Sequence, residues 1–266
     1  MRLALFFALP MFLLGTTPPP KLPAPTAGPN VFAPNVALGA VLPDAQRHAL
    51  FAGTDFGGLW RHQPQVGTED VLNGCYGAEC QRLEFVFTSV QADARQPGRY
   101  VVAGKFRCYN EVTPFRGSVY LQQVQRLPVD VVSYYNNSSA AAPTYCASGR
   151  FAVQATSNRG LGGQFTGRVA LDFQLDPRKK PFLVAGTPNL ATRQGGILFD
   201  GQWLENAASE PVRAFWKQGI AVTRQILSRF EIGLRDQEIN PRYARMGWNT
   251  FWKNDEWWAE RKIAKR

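Results

Sequence analysis

Phe115-Arg116-Gly117-Ser118-Val119 reads Phe-x-Gly-x-apolar, and the pattern returns at Phe165-x-Gly167-x-Val169 and Phe199-x-Gly201-x-Trp203. Residues two apart share one face of a strand. Each copy therefore lays a large ring, a bare backbone and a second apolar side chain along one surface. Glycine inside a strand weakens it and marks a bend or a close approach by another group. Set between two large apolar residues, it curls a sheet while the inner face stays filled. The three copies predict a mainly β fold, an antiparallel meander forming a curled or barrel-like sheet. A β-sandwich with its glycines at bulges is the competing arrangement.

The flanking sequence fits that meander. Leu83-Glu84-Phe85-Val86-Phe87 alternates in the period-two manner of a half-buried strand, and Pro97-Gly98 breaks the chain before a second strand at Arg99–Phe106. Further strands are predicted at Phe115–Val124, Arg150–Thr156, Gln164–Leu175, Phe182–Ala185 and Gly196–Leu204. Short strands at this spacing suit a sandwich or barrel. The β-rich domain is expected over 35–238. Asn240-Pro241 has the form of a helix cap and first turn, so 239–266 is predicted to be a C-terminal aromatic and basic helix. Trp248, Phe251 and Trp252 fall at helical spacing, which predicts burial for Trp248 and Trp252 and a more exposed Trp257. Trp257, Arg261 and Lys262 form the candidate interaction surface.

The N-terminus reads differently. Met1-Arg2 and the apolar stretch Leu3–Leu14 lead to the small residues Gly15-Thr16-Thr17, the pattern of a secretory signal over 1–17. Seven prolines crowd residues 18–34, which marks an extended Pro-rich linker. An even set of cysteines after an export signal reads as two disulfides. Cys75, Cys80, Cys108 and Cys146 allow three connectivities, of which Cys75–Cys80 with Cys108–Cys146 is preferred. The expected location is periplasmic, cell-surface or extracellular, with no transmembrane helix in the mature chain.

Composition narrows the function. Hydrophobic residues make up 45% of the chain, enough to exclude disorder. The net charge of +10 is spread along the sequence rather than gathered on one element, which disfavours nucleic acid and suits looser attraction to anionic surfaces. The only histidines, His48 and His62, lie in a stretch without regular pattern, and neither Gly-x-Ser-x-Gly nor His-Glu-x-x-His occurs. No catalytic, cofactor-binding or metal-binding residue is assigned, and no cofactor. Glu84, Asp172, Asp200, Glu205 and Glu231 sit on or beside predicted strands, where alternation points them to solvent. Asn136-Asn137-Ser138-Ser139 holds two glycosylation-type sequons in a polar loop.

Asn73-Gly74-Cys75-Tyr76-Gly77, Arg82-Leu83-Glu84-Phe85, Thr113-Pro114-Phe115-Arg116-Gly117, Asp200-Gly201-Gln202-Trp203 and the closing Asn240-Pro241-Arg242-Tyr243 through Gly247-Trp248 follow one another along the chain. Over about residues 70–250 the sequence resembles a group of uncharacterised exported β-rich proteins of Bacteroidetes bacteria. That resemblance implies export and a β-rich body and carries no activity; the cysteines depart from its pattern. The expected function is an exported, non-enzymatic binding or envelope-associated β-domain, with a glycan, an envelope surface or a protein as partner. The alternative is a hydrolase of envelope or extracellular polymers that uses two carboxylates.

Overall fold

A computed structural model describes residues 39–63, 71–128, 142–156, 161–184, 190–192, 195–217, 226–230, 237–251 and 255–259. The leader, the Pro-rich linker, the sequons, Glu231, Trp252, Arg261 and Lys262 lie outside the described residues.

Nine strands form the main sheet: β1 (Leu72–Tyr76), β2 (Gln81–Ala92), β3 (Arg99–Cys108), β4 (Glu111–Arg126), β5 (Tyr145–Ala155), β6 (Gln164–Leu175), β7 (Pro181–Leu183), β8 (Gly196–Leu204) and β9 (Val212–Lys217). Their order is β5-β4-β3-β2-β1-β9-β8-β6-β7, and β5 also pairs with β6. That pairing closes eight strands into an antiparallel barrel, with the short β7 lying beside the end of β6. Closure leaves none of the eight with a free edge.

The glycines permit the curl. Gly167 on β6 faces Gly201 on β8, and a Cβ on Gly167 would come within 2.3 Å of the Asp200 carbonyl oxygen. No side chain fits there. Phe115, Val119, Phe165, Val169 and Phe199 of the repeated pattern all point inward and are buried, joined by Trp203 near the rim.

Aromatic rings fill the interior. The Trp216 ring stacks on Phe85 at 3.9 Å and lies near-parallel to Phe199 at 5.3 Å, while Phe151 and Phe165 meet it edge-on. One end is stoppered from the N-terminal side. There α1 (Asp44–Gly53) and a 3-10 turn at Gly57–Leu59 bring Phe51, Phe56 and Trp60 into the core. The Phe56 amide donates to the Tyr100 hydroxyl at 3.2 Å.

The outer wall is partly covered. A hairpin of β10 (Leu227–Phe230) and β11 (Gln237–Ile239) leads into α2 (Pro241–Ala244). The helix starts where the sequence predicts: Asn240 caps it by accepting from the Arg242 amide, and Pro241 fills the first turn. It lasts one turn, which corrects the expectation of a helix running on into the basic tail. Gly247 takes φ 88° and leads into a 3-10 turn at Trp248–Thr250. Trp248 is fully buried, as expected, but it is held by an outer pocket rather than a helical stripe. It packs with Cys75, Cys80 and Ile226, and its indole donates to the Cys80 carbonyl at 2.8 Å. Trp258 is buried against Val71 and Val86, with Trp257 half-buried beside it.

One disulfide, Cys75–Cys80, ties the β1–β2 turn. The second expected pairing does not form, and Cys108 and Cys146 are buried free thiols. Cys108 faces Glu111 at the start of β4 and Cys146 faces Gln125 near its end. A strand of that length separates them by roughly 40 Å, far beyond the reach of a disulfide. Burial pushes the Cys108 thiol up to about 12 and Cys146 well above its usual value, the latter reinforced by Asp172.

Candidate functional site

The four strands β4, β5, β6 and β8 turn their outward residues into registered rows. One row runs Tyr120, Arg150, Arg168, Asp200; the next Gln123, Ser148, Ala170, Leu198; the third Gln125, Cys146, Asp172, Gly196. The middle row is small at Ser148 and Ala170, so it sits lower than its neighbours. A groove of about 710 Å³ follows, bordered by Arg47 from α1 and by Ala191. A bulge in β4 after Leu121 turns both Gln122 and Gln123 toward it.

The charge on this wall is unbalanced. Arg150 and Arg168 stand directly opposite each other on adjacent strands, and both are exposed. Among the described residues neither makes an ion pair within 4 Å. Arg47 pairs with Asp44, itself largely in solvent. Among the described residues Asp200 is the single carboxylate lining the groove, and it pairs with Arg213. Burial raises the Asp200 carboxyl, against the pull of Arg213 and Arg168.

The other strand acids do not join it. Asp172 faces away from the barrel but is fully buried, because the Thr192 segment covers it. Its Oδ2 accepts from the Thr192 amide at 2.8 Å and the Thr192 hydroxyl at 2.5 Å. Lys217, also buried, donates to the carbonyls of Thr192 and Gly195. Burial raises the Asp172 carboxyl, with Thr192 and the Lys217 charge opposing. Asp172 and Asp200 lie four positions apart along the wall, roughly 13 Å, and Asp172 has no access to the groove.

Glu84 is sealed on the far side of the barrel. It accepts from Arg82 at 2.7 Å and from Arg107 at 2.6 Å, and Arg107 also pairs with Asp255 at 2.6 Å. Glu205 is exposed outside the groove. Among the described residues, then, no two of these carboxylates share a pocket.

Trp257, the described member of the predicted interaction surface, lies over the Arg107 guanidinium at 5.1 Å and belongs to the covering segment. The predicted disulfide residues separate into one bonded pair and two thiols, as above. His62 packs against Trp258 at 5.1 Å, and His48 is exposed on α1. Sequence reasoning missed Arg47, Arg150 and Arg168. Gly149-Arg150-Phe151 and Gly167-Arg168-Val169 each place an arginine outward by alternation, but their direct opposition depends on a register that local pattern does not carry.

No group of three or more potential metal ligands is arranged to hold an ion among the described residues, and no helix there is long and apolar enough to cross a membrane. The chain matches no family model, no curated protein and no solved structure.

Proposed function

We propose that the protein is an exported, non-catalytic binding module that meets its ligand on the outer wall formed by β4, β5, β6 and β8. The observation that carries this reading is the contrast between a barrel interior packed with rings and a polar groove outside it that holds exposed arginines. A small-molecule carrier of this shape needs an interior cavity. A surface binder needs a concave wall with polar groups aimed outward. Export rests on the Leu3–Leu14 leader pattern and is supported by the Cys75–Cys80 bond, since disulfides persist in oxidising compartments. The resemblance to exported β-rich proteins points the same way. The hydrolase alternative lacks a pair of convergent carboxylates among the described residues.

The test is to block the groove. Gln123 is exposed there, and the native free thiols are buried, so a Gln123→Cys variant takes a bulky maleimide at one place. The labelled protein should lose its association with isolated envelope fractions of the producing cell, and the unlabelled variant should keep it. Association that survives the label, or none in the unmodified protein, would overturn the reading.

A further inference from the structure

We infer that the groove binds an acidic glycan and that Arg150 and Arg168 hold its anionic groups. The inference rests on the outer-wall reading above and names the ligand class. Directly opposed residues on antiparallel strands bring their side chains within about 5 Å, where like charges repel. Arg150 and Arg168 occupy such a pair, and the nearest groove carboxylate, Asp200, is engaged by Arg213. An anion between the two guanidiniums removes the repulsion, and each fork can hold a carboxylate or sulfate through two parallel hydrogen bonds.

The rest of the lining suits sugar. Tyr120 ends the arginine row with 40% of its surface exposed, which offers a ring face to the C–H side of a pyranose. Gln122, Gln123, Gln125 and Ser148 supply both donors and acceptors for hydroxyls. An anionic membrane is a poorer fit, because a monotopic surface inserts large apolar side chains, and the apolar residues lining this groove are small or buried in its floor. Single-stranded nucleic acid stacks its bases on several aromatic rings, whereas among the described residues Tyr120 is the single ring lining this groove.

The experiment measures binding of the mature protein to polygalacturonate, heparin, neutral dextran and vesicles of phosphatidylglycerol with phosphatidylcholine. The variants are R150A/R168A, R150K/R168K and the control R178A/K180A, which removes the same charge at an exposed turn. Polygalacturonate or heparin should bind; binding of polygalacturonate shows that carboxylates suffice, and binding of heparin alone shows that sulfate is required. R150A/R168A should weaken that binding by roughly tenfold or more, the lysine pair by less, and the control not at all. Equal losses in R150A/R168A and the control would mean that net charge alone attracts the polymer, which overturns the inference. No loss in R150A/R168A overturns it too. Binding to vesicles without acidic glycan overturns the glycan class, and binding to dextran without acidic glycan overturns the role of the two arginines. In each case the groove-blocking experiment stands or falls by itself.

Discussion

Two walls of one barrel carry arginines at outward strand positions and treat them in opposite ways. On β2 and β3, Arg107 stands directly across from Glu84. On β5 and β6, Arg150 stands directly across from Arg168. The first pair joins Arg82 and Asp255 in a network, with the Trp257 ring against Arg107 and the Trp248 ring against Arg82. The second lies open beside a groove. Burial of a charge is tolerated when a counter-charge and hydrogen bonds come with it, and the C-terminal segment completes that set over β2 and β3. A cationic pair left open to solvent avoids desolvation but keeps its repulsion. The difference separates a covered wall, whose charges are paired, from an open wall, whose two arginines face solvent.

The comparison breaks most visibly at Trp248. Its indole is fully buried and anchors the covering segment to the disulfide loop. Trp248→Ala should cost about 4 kcal/mol of unfolding free energy, read from the urea midpoint, while binding at the open wall is unchanged in the protein that stays folded. A loss below about 1 kcal/mol would mean that the segment is held elsewhere.

Glu84→Gln should come next, at about 3 kcal/mol, because it leaves two guanidiniums facing a neutral group under cover. The cost stays no larger than this because Arg107 keeps Asp255, and Arg82 keeps Asn73 and Thr250. Glu84→Gln paired with Arg107→Gln should be less harmful than the two single costs added together, and a double-mutant cycle measures the coupling.

The rim of the covered wall should respond less. Burial would raise the Asp255 carboxyl, but the hydrogen bond and charge of Arg107 outweigh it and hold it below the ordinary value. A depressed carboxylate contributes stability that is fully present above its unfolded pKa of about 3.9 and is lost as pH falls through the folded value. With half of the side chain in solvent, the contribution is under about 1 kcal/mol. The stability gap between the parent protein and Asp255→Asn should therefore be small at neutral pH and close on acidification. A gap that widens in acid would reverse the assignment.

The sequence reveals the barrel more readily than the walls. Phe115, Phe165 and Phe199 with their glycines disclose the curled sheet, because alternation and bending are local properties. The same alternation turns Glu84, Asp172 and Arg168 away from the interior, and each does point away. Outward is not the same as exposed. Glu84 is 4% exposed and Asp172 0%, since their covers come from segments remote in the chain. Asn240 and Pro241 mark a helix start correctly, but one turn later Gly247 at positive φ redirects the chain, and tryptophan spacing alone carries no trace of that. Cys108 and Cys146 look like partners by count and fail by distance along β4. The candidate site was the least legible part, because Arg150 and Arg168 meet only through the register of the β5–β6 pair.

The open wall yields the smallest effect and the sharpest discrimination. If Arg150 and Arg168 repel each other without a ligand, removing one should relieve the sheet. Cross-strand pair energies are a few tenths of a kcal/mol, and an exposed arginine gives up little packing when truncated. Arg150→Ala should therefore leave stability unchanged or raise it by about 0.3 kcal/mol. The gain should be greatest at low salt and vanish when the Debye length shrinks toward 3 Å at about 1 M. Arg107→Ala, the matching change on the covered wall, should destabilise at every salt concentration, because it strips Glu84 of a buried partner. Adding polygalacturonate should reverse the order on the open wall. The parent protein gains stability from a ligand that binds only its folded form, and Arg150→Ala gains less. A loss of stability in ligand-free Arg150→Ala comparable to that of Arg107→Ala would show that Arg150 is a structural residue, and the distinction between the two walls would fail.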